Sequence, residues 1–460
     1  MTEWLPLFMF LTTCLLLMAG FPVAFTLASV SLAFAGIGYS LSSFDPIFLN
    51  VLPDRMFGVM QNETLMAVPL FIFMGTLLEK SELAKELLHT LGQLFSRFSA
   101  GLGVSVVIVG ALLAASTGIV GATVVTLGLI SLPSMIQKGY QPSLASGLVC
   151  ATGTLGQIIP PSIALVLLGD VLSNAYQESL RATGNFSGAT VSVGDLFVGA
   201  LLPGLLLVVL YIVYVNVAHH RHRRSCNNTI APPLASDRTA FPMATIFTVL
   251  IPPLSLIILV LGSIIAGIAT PTEAASLGAA GALVLAAVKG KMSLNTLMDS
   301  LRQSALINAM VFMILIGACI YSVVFRGLEG DEFVQSMLTN LPGGPMTALI
   351  IVMLAIFLLG FILDFIEITF VVIPIVAPAL FIQGIDPIWF GVLVALNLQT
   401  SFLTPPFGFA LFYLRGVADH SINTQTLYKG VIPFIVIQLV VIAAVAIMPN
   451  IATWLPSIIF

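Results

Sequence analysis

Residues 152–162 read TGTLGQIIPPS, and residues 397–406 read NLQTSFLTPP. Both stretches interrupt an apolar segment, and each combines a Pro-Pro pair with hydroxyl and amide side chains. Proline removes a backbone hydrogen-bond donor, and the glycines of the first stretch let the backbone unwind. Each stretch therefore predicts a helix that breaks in apolar surroundings and leaves backbone carbonyls without helical partners.

The two stretches belong to an internal repeat with a constant offset of 245 residues. At this offset Pro160–Pro161 coincides with Pro405–Pro406, and the turn KGYQP at 138–142 coincides with QGIDP at 383–387. Corresponding Gly/Pro interruptions in two halves indicate a transporter's binding site, whereas a single Pro-Pro pair would also fit a simple kink. The predicted divisions are a first repeat at 1–218, a basic linker at 219–241 and a second repeat at 242–460.

The composition requires a membrane, because 58% of the residues are hydrophobic and only 8% are charged. Soluble domains carry roughly 25% charged residues. Lipid offers no partner to an unpaired backbone group, so helices are the predicted spanning elements. The fold class is an all-α polytopic membrane protein built from inverted repeats. The predicted apolar segments are 5–19, 22–39, 65–78, 101–132, 143–168, 196–217, 243–268, 274–287, 306–324, 347–381, 388–413 and 431–448.

Two apolar blocks, 101–132 and 347–381, are too long for one simple span, and each predicts a re-entrant helical hairpin. The arginines of the polar stretch 219–238 lie in the cytoplasm by the positive-inside rule. The first hairpin then opens from the cytoplasmic side and the second from the opposite side. This topology predicts a multi-pass membrane protein with both termini on the outer side. Only three basic residues lie outside: Arg55, Arg181 and Arg326.

The tip of the first hairpin reads ASTGIVGAT at residues 115–123. Such small and hydroxylated residues let the backbone turn and expose its carbonyls. Together with carbonyls near Gly153 and Gly156, they offer oxygen ligands that suit a hard monovalent cation such as Na⁺. Small residues also permit close helix packing, and this alternative remains open.

The tip of the second hairpin contains two carboxylates, Asp364 and Glu367, which are costly in a membrane unless they are satisfied. Asp364 and Asn397 are the leading candidates for a second cation site. Glu367 is either a loop carboxylate or a proton carrier. The facing broken helix adds amide and hydroxyl oxygens from Asn397, Gln399, Thr400 and Thr404.

Other kinds of site have little support. HExxH and GxSxG motifs are absent, and no histidine falls within an apolar segment, so no catalytic residue is assigned. Thr270 and Glu273 fit a capping box at a helix start. The HHRHRR run at 219–224 is predicted to lie near anionic lipid. The stretches 79–97 and 293–303 are predicted to be interfacial amphipathic arms.

The sequence resembles the large membrane subunit of tripartite ATP-independent periplasmic (TRAP) transporters. The matching motifs extend over nearly the whole chain. They are GFPVAF at 20–25, VPLFIFMG at 68–75, GTLGQIIPPS at 153–162, TPTEAA at 270–275 and LTPPFG at 403–408.

The resemblance implies an elevator-type fold, Na⁺ as the coupling ion and no organic cofactor. It implies one Na⁺ site around Ser116, Gly118, Gly121, Thr152 and Gly153. It implies a second around Asp364, Thr369, Asn397 and Thr404. The residues expected to contact substrate are Thr117, Thr154, Gln157, Pro160, Gln399, Thr400 and Pro405.

The expected partners are a small four-helix membrane subunit, a periplasmic substrate-binding protein and the lipid bilayer, with no nucleic acid. The expected substrate is a small organic anion, such as a C4-dicarboxylate, a keto acid or a sugar acid. The alternatives are a symporter that needs no binding protein, a membrane-embedded enzyme and a passive channel.

Overall fold

The computed structural model describes residues 2–81, 83–95, 98, 100–118, 120–184, 190–225, 243–419 and 422–460. Every regular element in these residues is helical. The helices are α1 (Leu5–Met18), α2 (Val23–Ser40), α3 (Leu52–Gln61), α4 (Ala67–Lys80), α5 (Leu83–Leu94), α6 (Gly101–Thr117), α7 (Val120–Gln137), α8 (Pro142–Gly153), α9 (Ile163–Ala182), α10 (Val193–Ser225), α11 (Met243–Ile265), α12 (Pro271–Val288), α13 (Leu294–Gly327), α14 (Gly330–Thr339), α15 (Gly344–Leu359), α16 (Phe365–Glu367), α17 (Ile373–Ile382), α18 (Pro387–Ser401), α19 (Phe409–Val417), α20 (Thr424–Ile447) and α21 (Asn450–Ile459).

Length and composition confirm the predicted fold class. Within the described residues, eight helices are long and apolar enough to cross a membrane. The shorter apolar helices include α6 and α15, which are the first limbs of the two predicted hairpins. The protein is therefore an all-α polytopic membrane protein.

Both predicted hairpins form. In the first, α6 ends at Gly118, whose φ of +61° reverses the chain into α7. A left-handed φ is readily available to glycine, which lacks a Cβ. In the second, α15 leads through residues 360–364 into α16, a π-helical stretch at Ile368–Val372 and α17.

Both predicted helix breaks also form. The first is a 3₁₀ turn at Thr154–Gln157 followed by irregular backbone up to the start of α9. The second is the irregular segment 402–408 between α18 and α19. The peptide bonds Pro160–Pro161 and Pro405–Pro406 are both cis.

The two repeats interlock. Besides its contacts with its own half, the second limb of each hairpin packs on the broken helix of the other half, α7 on α19 and α17 on α9. The Tyr176 and Phe381 rings meet edge-on with centroids 5.8 Å apart, which joins α9 to α17. The hairpins and broken helices therefore form one packed body around the two breaks.

Two stretches differ from the sequence expectation. The arm at 293–303 and the span at 306–324 form a single helix, α13. No Gly or Pro separates them, and the intervening residues tolerate a helix well. The beginning of the predicted linker, 219–225, is the last part of α10. The remainder of that linker lies outside the described residues, and the division at 1–218, 219–241 and 242–460 stays a prediction.

The capping box at Thr270 is present. The Thr270 hydroxyl accepts from the Glu273 N–H at 3.3 Å, and the Glu273 carboxylate accepts from the Thr270 N–H at 2.8 Å. This arrangement satisfies backbone donors at the start of α12. The predicted role of these residues, a helix start, is therefore confirmed.

Helices α8 and α20 cross with their backbones in contact. A Cβ on Gly147 would lie 2.1 Å from the Gly430 carbonyl oxygen. Because the obstructing atom is backbone, it has little freedom to move aside. The crossing therefore requires glycine at this position and ties the first broken helix to a helix of the second repeat.

We expect Gly147→Ala to lower the free energy of unfolding by about 1–3 kcal/mol, the usual cost of overpacking. Gly262→Ala in α11 is the matched control, because, apart from its chain neighbours and the adjacent backbone of its own helix, no atom of the described residues lies within 4 Å of the position its methyl group would take. Thermal unfolding of the detergent-purified protein measures both variants. Equal melting temperatures for the two variants would contradict the close crossing.

Candidate functional site

Hairpin 1 encloses the first helix break along its length. A Cβ on Gly110 would lie 2.1 Å from Cγ2 of Thr152, and one on Gly153 would lie 2.3 Å from Cγ2 of Val124. Thr152 therefore packs on the first limb and Gly153 on the second. These contacts bring together the predicted broken helix and the predicted hairpin.

The tip of hairpin 1 meets a different part of the break. A Cβ on Gly118 would lie 3.1 Å from the backbone nitrogen of Ile163, the first residue of α9. Gly110 precedes Gly118 by eight residues, or about 12 Å at 1.5 Å per residue. The predicted ligands Thr152 and Gly153 therefore lie deeper along the hairpin than its tip.

The other residues predicted for the first Na⁺ site, and the predicted substrate residue Thr117, lie around this tip. The backbones of Ser116 and Thr117 form the end of α6, and their side chains lie outside the described residues. Gly121 faces away from the first break, because a Cβ there would lie 2.8 Å from the Tyr413 ring on α19.

Ser162 closes the first break. Its hydroxyl donates to the Gly156 carbonyl at 2.6 Å. A Cβ on Gly156 would also lie 3.1 Å from the Ala114 carbonyl oxygen, so this turn is pressed against hairpin 1. One carbonyl that the break removes from the helix thus receives a side-chain donor. Ser162 is buried, as its role requires.

Hairpin 2 is held to its broken helix by side-chain hydrogen bonds. Asn397 Nδ2 donates to the Met353 carbonyl at 2.7 Å, and Ser401 Oγ donates to the Phe357 carbonyl at 3.0 Å. At the repeat offset of 245, Asn397 corresponds to Thr152 and Ser401 to Gly156. Residues that are equivalent in the repeat therefore pack on equivalent limbs of the two hairpins.

The two tip carboxylates begin the second limb of hairpin 2. The Asp364 carboxylate accepts from the Phe365 N–H at 2.7 Å, and the Glu367 carboxylate accepts from the Asp364 N–H at 3.2 Å. Both therefore have a helix-capping role. Glu367 and Thr369 are buried, and Thr369 lies in the π-helical stretch. Such stretches occur frequently at functional sites.

Buried polar atoms lie at the first break without partners. Among the described residues, no hydrogen-bond partner lies within 3.5 Å of Thr152 Oγ1 or of either amide atom of Gln157. An unpaired buried polar group costs about 1–3 kcal/mol. These atoms therefore fit a site that is completed by an ion, a substrate or water.

The other predicted substrate residues, and Thr404 of the predicted second Na⁺ site, lie in or beside the two breaks. The hydroxyls of Thr154, Thr400 and Thr404 donate to backbone carbonyls three or four residues earlier in the chain at 2.7–2.8 Å. Gln399 is buried, and among the described residues neither of its amide atoms has a hydrogen-bond partner. Pro160 and Pro405 lie within the two breaks.

Tyr413 is a site residue that sequence reasoning missed. Its ring contacts the Gly121 position of hairpin 1, since a Cβ there would lie 2.8 Å from it. It also lines a cavity of about 380 Å³ together with Gly121 and Glu79. The sequence feature that could have identified it is a tyrosine in the helix that directly follows the second break.

The groups at the two breaks that could bind a cation are all oxygen ligands. They are hydroxyls, amide oxygens, backbone carbonyls and the carboxylates of hairpin 2, which suit a hard cation. In the part of the chain that the structure describes, no three His, Cys, Asp or Glu side chains cluster as metal ligands. Helix α9 begins at the tip of hairpin 1 and so directs its positive dipole end toward the site, which favours an anion.

Comparison with known proteins agrees with this geometry. A family profile described as the DctM component of tripartite ATP-independent periplasmic transporters matches residues 10–451. The sialic acid TRAP transporter large permease SiaM of Vibrio cholerae is 28% identical over 96% of both chains. The C4-dicarboxylate large permease DctM of Pseudomonas aeruginosa is 28% identical over 90% of this chain and 91% of its own.

Further relatives extend the comparison. The ectoine/5-hydroxyectoine TRAP transporter large permease UehC of Ruegeria pomeroyi is 27% identical over 98% of both chains. The crystal structure of the Alcanivorax borkumensis YdaH transporter aligns with a TM-score of 0.61 over 96% of this chain and 97% of that one. At 15% identity this last likeness concerns the fold alone.

We expect Gly153→Leu to destabilise the protein by more than about 3 kcal/mol, because even a Cβ there would overlap Val124. Ser162→Ala removes one hydrogen bond to the Gly156 carbonyl and should cost about 1–3 kcal/mol. Thermal unfolding of the purified variants measures both, and Gly36→Leu is the control in open space. A Ser162→Ala loss as large as that of Gly153→Leu would contradict the packing described.

Proposed function

The chain belongs to the DctM-component family of TRAP transporters, and on this premise we propose that it drives sodium-coupled uptake of an organic acid. As a large permease of this family, it is a multi-pass transport protein rather than an enzyme. The observation that carries the proposal is the pair of hairpins, each packed on a broken helix at equivalent repeat positions. Thr152 and Gln157 leave unpaired polar atoms there, and Asp364 supplies a negative charge.

The proposed substrate is a small organic carboxylate. The relatives are named for sialic acid, C4-dicarboxylates and ectoine, and all of these compounds carry a carboxyl group. The two broken segments contain no Lys or Arg. We therefore assign recognition of the anion at the breaks to helix N-termini and amides, as at other helix-terminus anion sites.

The proposed movement is that of an elevator. Hairpins 1 and 2 and their broken helices would move together against α2, α3, α4, α12 and α13. Two cavities support this division, because both lie between the groups. One of about 960 Å³ separates α3 and α13 from α9 and hairpin 2. The other, of about 380 Å³, separates α4 and α13 from α7 and α19.

The proposed coupling ion is Na⁺, held at each hairpin. One site would lie along hairpin 1 near Thr152 and Gly153, and the other near Asp364 and Asn397. Asn397 uses its Nδ2 to hold Met353, so its Oδ1 remains an acceptor that a cation could take. The capping role of Asp364 leaves further acceptor positions on its carboxylate.

The proposed partners are a small membrane subunit and a periplasmic protein that delivers the substrate. The location proposed for the complex is the inner membrane, with both termini of this chain in the periplasm. Ion pairs agree with the predicted sidedness. Arg326, assigned outside, pairs with Glu178 and Asp331. Lys289 and Lys291, assigned to the cytoplasm, pair with Glu86.

Uptake by proteoliposomes tests the proposal. They would contain this chain with its small subunit, and purified binding protein would be supplied outside with or without an inward Na⁺ gradient. We expect uptake only when both Na⁺ and the binding protein are present. Uptake without the binding protein would instead identify a self-sufficient symporter, and uptake without Na⁺ would refute the coupling.

We expect Asp364→Ala and Asn397→Ala to abolish Na⁺-coupled uptake while the complex still assembles, because each removes a proposed ligand. Asp386→Ala is the matched control, since Asp386 accepts from the Trp389 N–H at 2.8 Å and caps α18 away from the tips. It should lose about 0.5–2 kcal/mol of stability but retain coupling. Normal transport by either tip variant would refute the second cation site.

A further inference from the structure

All three basic residues that the topology places outside line one cavity. Arg55 on α3, Arg181 at the end of α9 and Arg326 at the end of α13 face a space of about 960 Å³. They come from sequence positions far apart, and Arg181 lies on the group of helices that the elevator would move, whereas Arg55 and Arg326 lie on helices that would stay in place. We call this space the outer cavity.

The meeting of these three arginines in one cavity is informative because basic residues are rare on the outer side of this protein. The positive-inside rule disfavours basic residues on the outer side. The chain has 16 Lys and Arg residues, and the topology assigns every other one to the cytoplasm. Three independent exceptions that meet in one cavity indicate a common role there.

The three arginines differ in how they are held. Arg326 donates from Nε to Asp331 at 2.8 Å, and its Nη2 lies 2.9 Å from Glu178 Oε1. Among the described residues, Arg55 and Arg181 have no carboxylate within 4.0 Å. The outer cavity therefore has one arginine engaged by protein carboxylates and two that are available to a ligand.

The carboxylates of the lining do not occupy these two arginines. Glu178 is bound to Arg326, and Asp170 accepts from Asn62 at 3.0 Å. Asp54 is exposed beside Arg55 in the chain and makes no ion pair in the described structure. None of these three carboxylates forms an ion pair with Arg55 or Arg181 in the described structure.

The outer cavity leads toward the proposed transport site. Its inner wall includes Phe370 and Pro374 on the second limb of hairpin 2. Phe370 follows Asp364 by six residues, or about 9 Å along a helix. An anion in the outer cavity is therefore on a path from the outer surface to the hairpin 2 tip.

We propose that Arg55 and Arg181 form an entry site that binds the carboxylate of the organic substrate in the outer cavity before it reaches the hairpin tips. Guanidinium groups suit this task because their planar donors match a carboxylate. Arg326 is fixed by Glu178 and Asp331 and positions the wall between the two groups of helices. This inference rests on the proposed function, since the ligand is the transported organic anion.

Cys319 provides a reporter that does not depend on transport. It lines the outer cavity together with Arg55. The experiment uses the full chain with its small subunit in right-side-out vesicles. Cys14, Cys150 and Cys226 are replaced by serine, so Cys319 alone reacts. Membrane-impermeant methanethiosulfonates, one anionic and one cationic, label Cys319 with or without succinate, pyruvate, gluconate or the uncharged succinamide.

We expect the three carboxylates to slow labelling, while succinamide does not. Arg55→Gln and Arg181→Gln should each weaken the protection about tenfold, the effect of losing a charge-assisted hydrogen bond. Both should also lower the rate of the anionic reagent relative to the cationic one. Arg302→Gln, at the opposite end of α13, is the matched control and should behave like the parent.

Unchanged labelling in the presence of all three carboxylates would overturn the entry site. So would full protection in both arginine variants. The arginine variants could instead lose uptake of substrate delivered by the binding protein while substrate still protects Cys319 fully. That result would mean that the arginines contact the binding protein, and it would also overturn the entry site. Protection that persists where uptake proves independent of Na⁺ would support the entry site while refuting the coupling.

Discussion

The requirement that every backbone polar group find a partner inside the protein determines this structure. Lipid provides none, so a helix can break at membrane depth only where other protein covers the break. The two breaks are covered by the two hairpins, and the covering contacts involve backbone directly. A Cβ on Gly156 would lie 3.1 Å from the Ala114 carbonyl oxygen of hairpin 1, and Ser401 donates to the Phe357 carbonyl of hairpin 2. The breaks thus require the hairpins that cover them.

The two halves satisfy this requirement differently. Hairpin 1 relies on close packing with glycine, as at Gly110 and Gly153, and leaves the Thr152 hydroxyl unpaired. Hairpin 2 is bound by the Asn397 and Ser401 side chains, and its tip is capped by carboxylates. The polar groups at the first break are consequently neutral, whereas those at the second include carboxyl groups. If both proposed sites bind Na⁺, we expect this asymmetry to give them different affinities for it.

Much of this arrangement was predictable from the sequence, because a break in a membrane helix needs Gly or Pro and these residues recur at a fixed offset. The hairpins followed from segment length. The level at which Thr152 meets hairpin 1 was not predictable, since it depends on Gly110 having no Cβ, which would lie 2.1 Å from Thr152 Cγ2. Tyr413 was missed because its partner Gly121 lies on hairpin 1, far from it in the sequence. The continuity of α13 was missed because the change from charged to apolar residues carries no helix-stopping residue.

The central claim is that the two hairpin tips and their facing breaks hold Na⁺. Amide hydrogen exchange of the purified complex, compared in Na⁺ and in K⁺ at equal ionic strength, tests it most directly. The account predicts that Na⁺ slows exchange in the segments around residues 115–123, 152–162 and 360–369, while α2 is unaffected. Exchange that is identical in the two salts at both hairpin tips would contradict it.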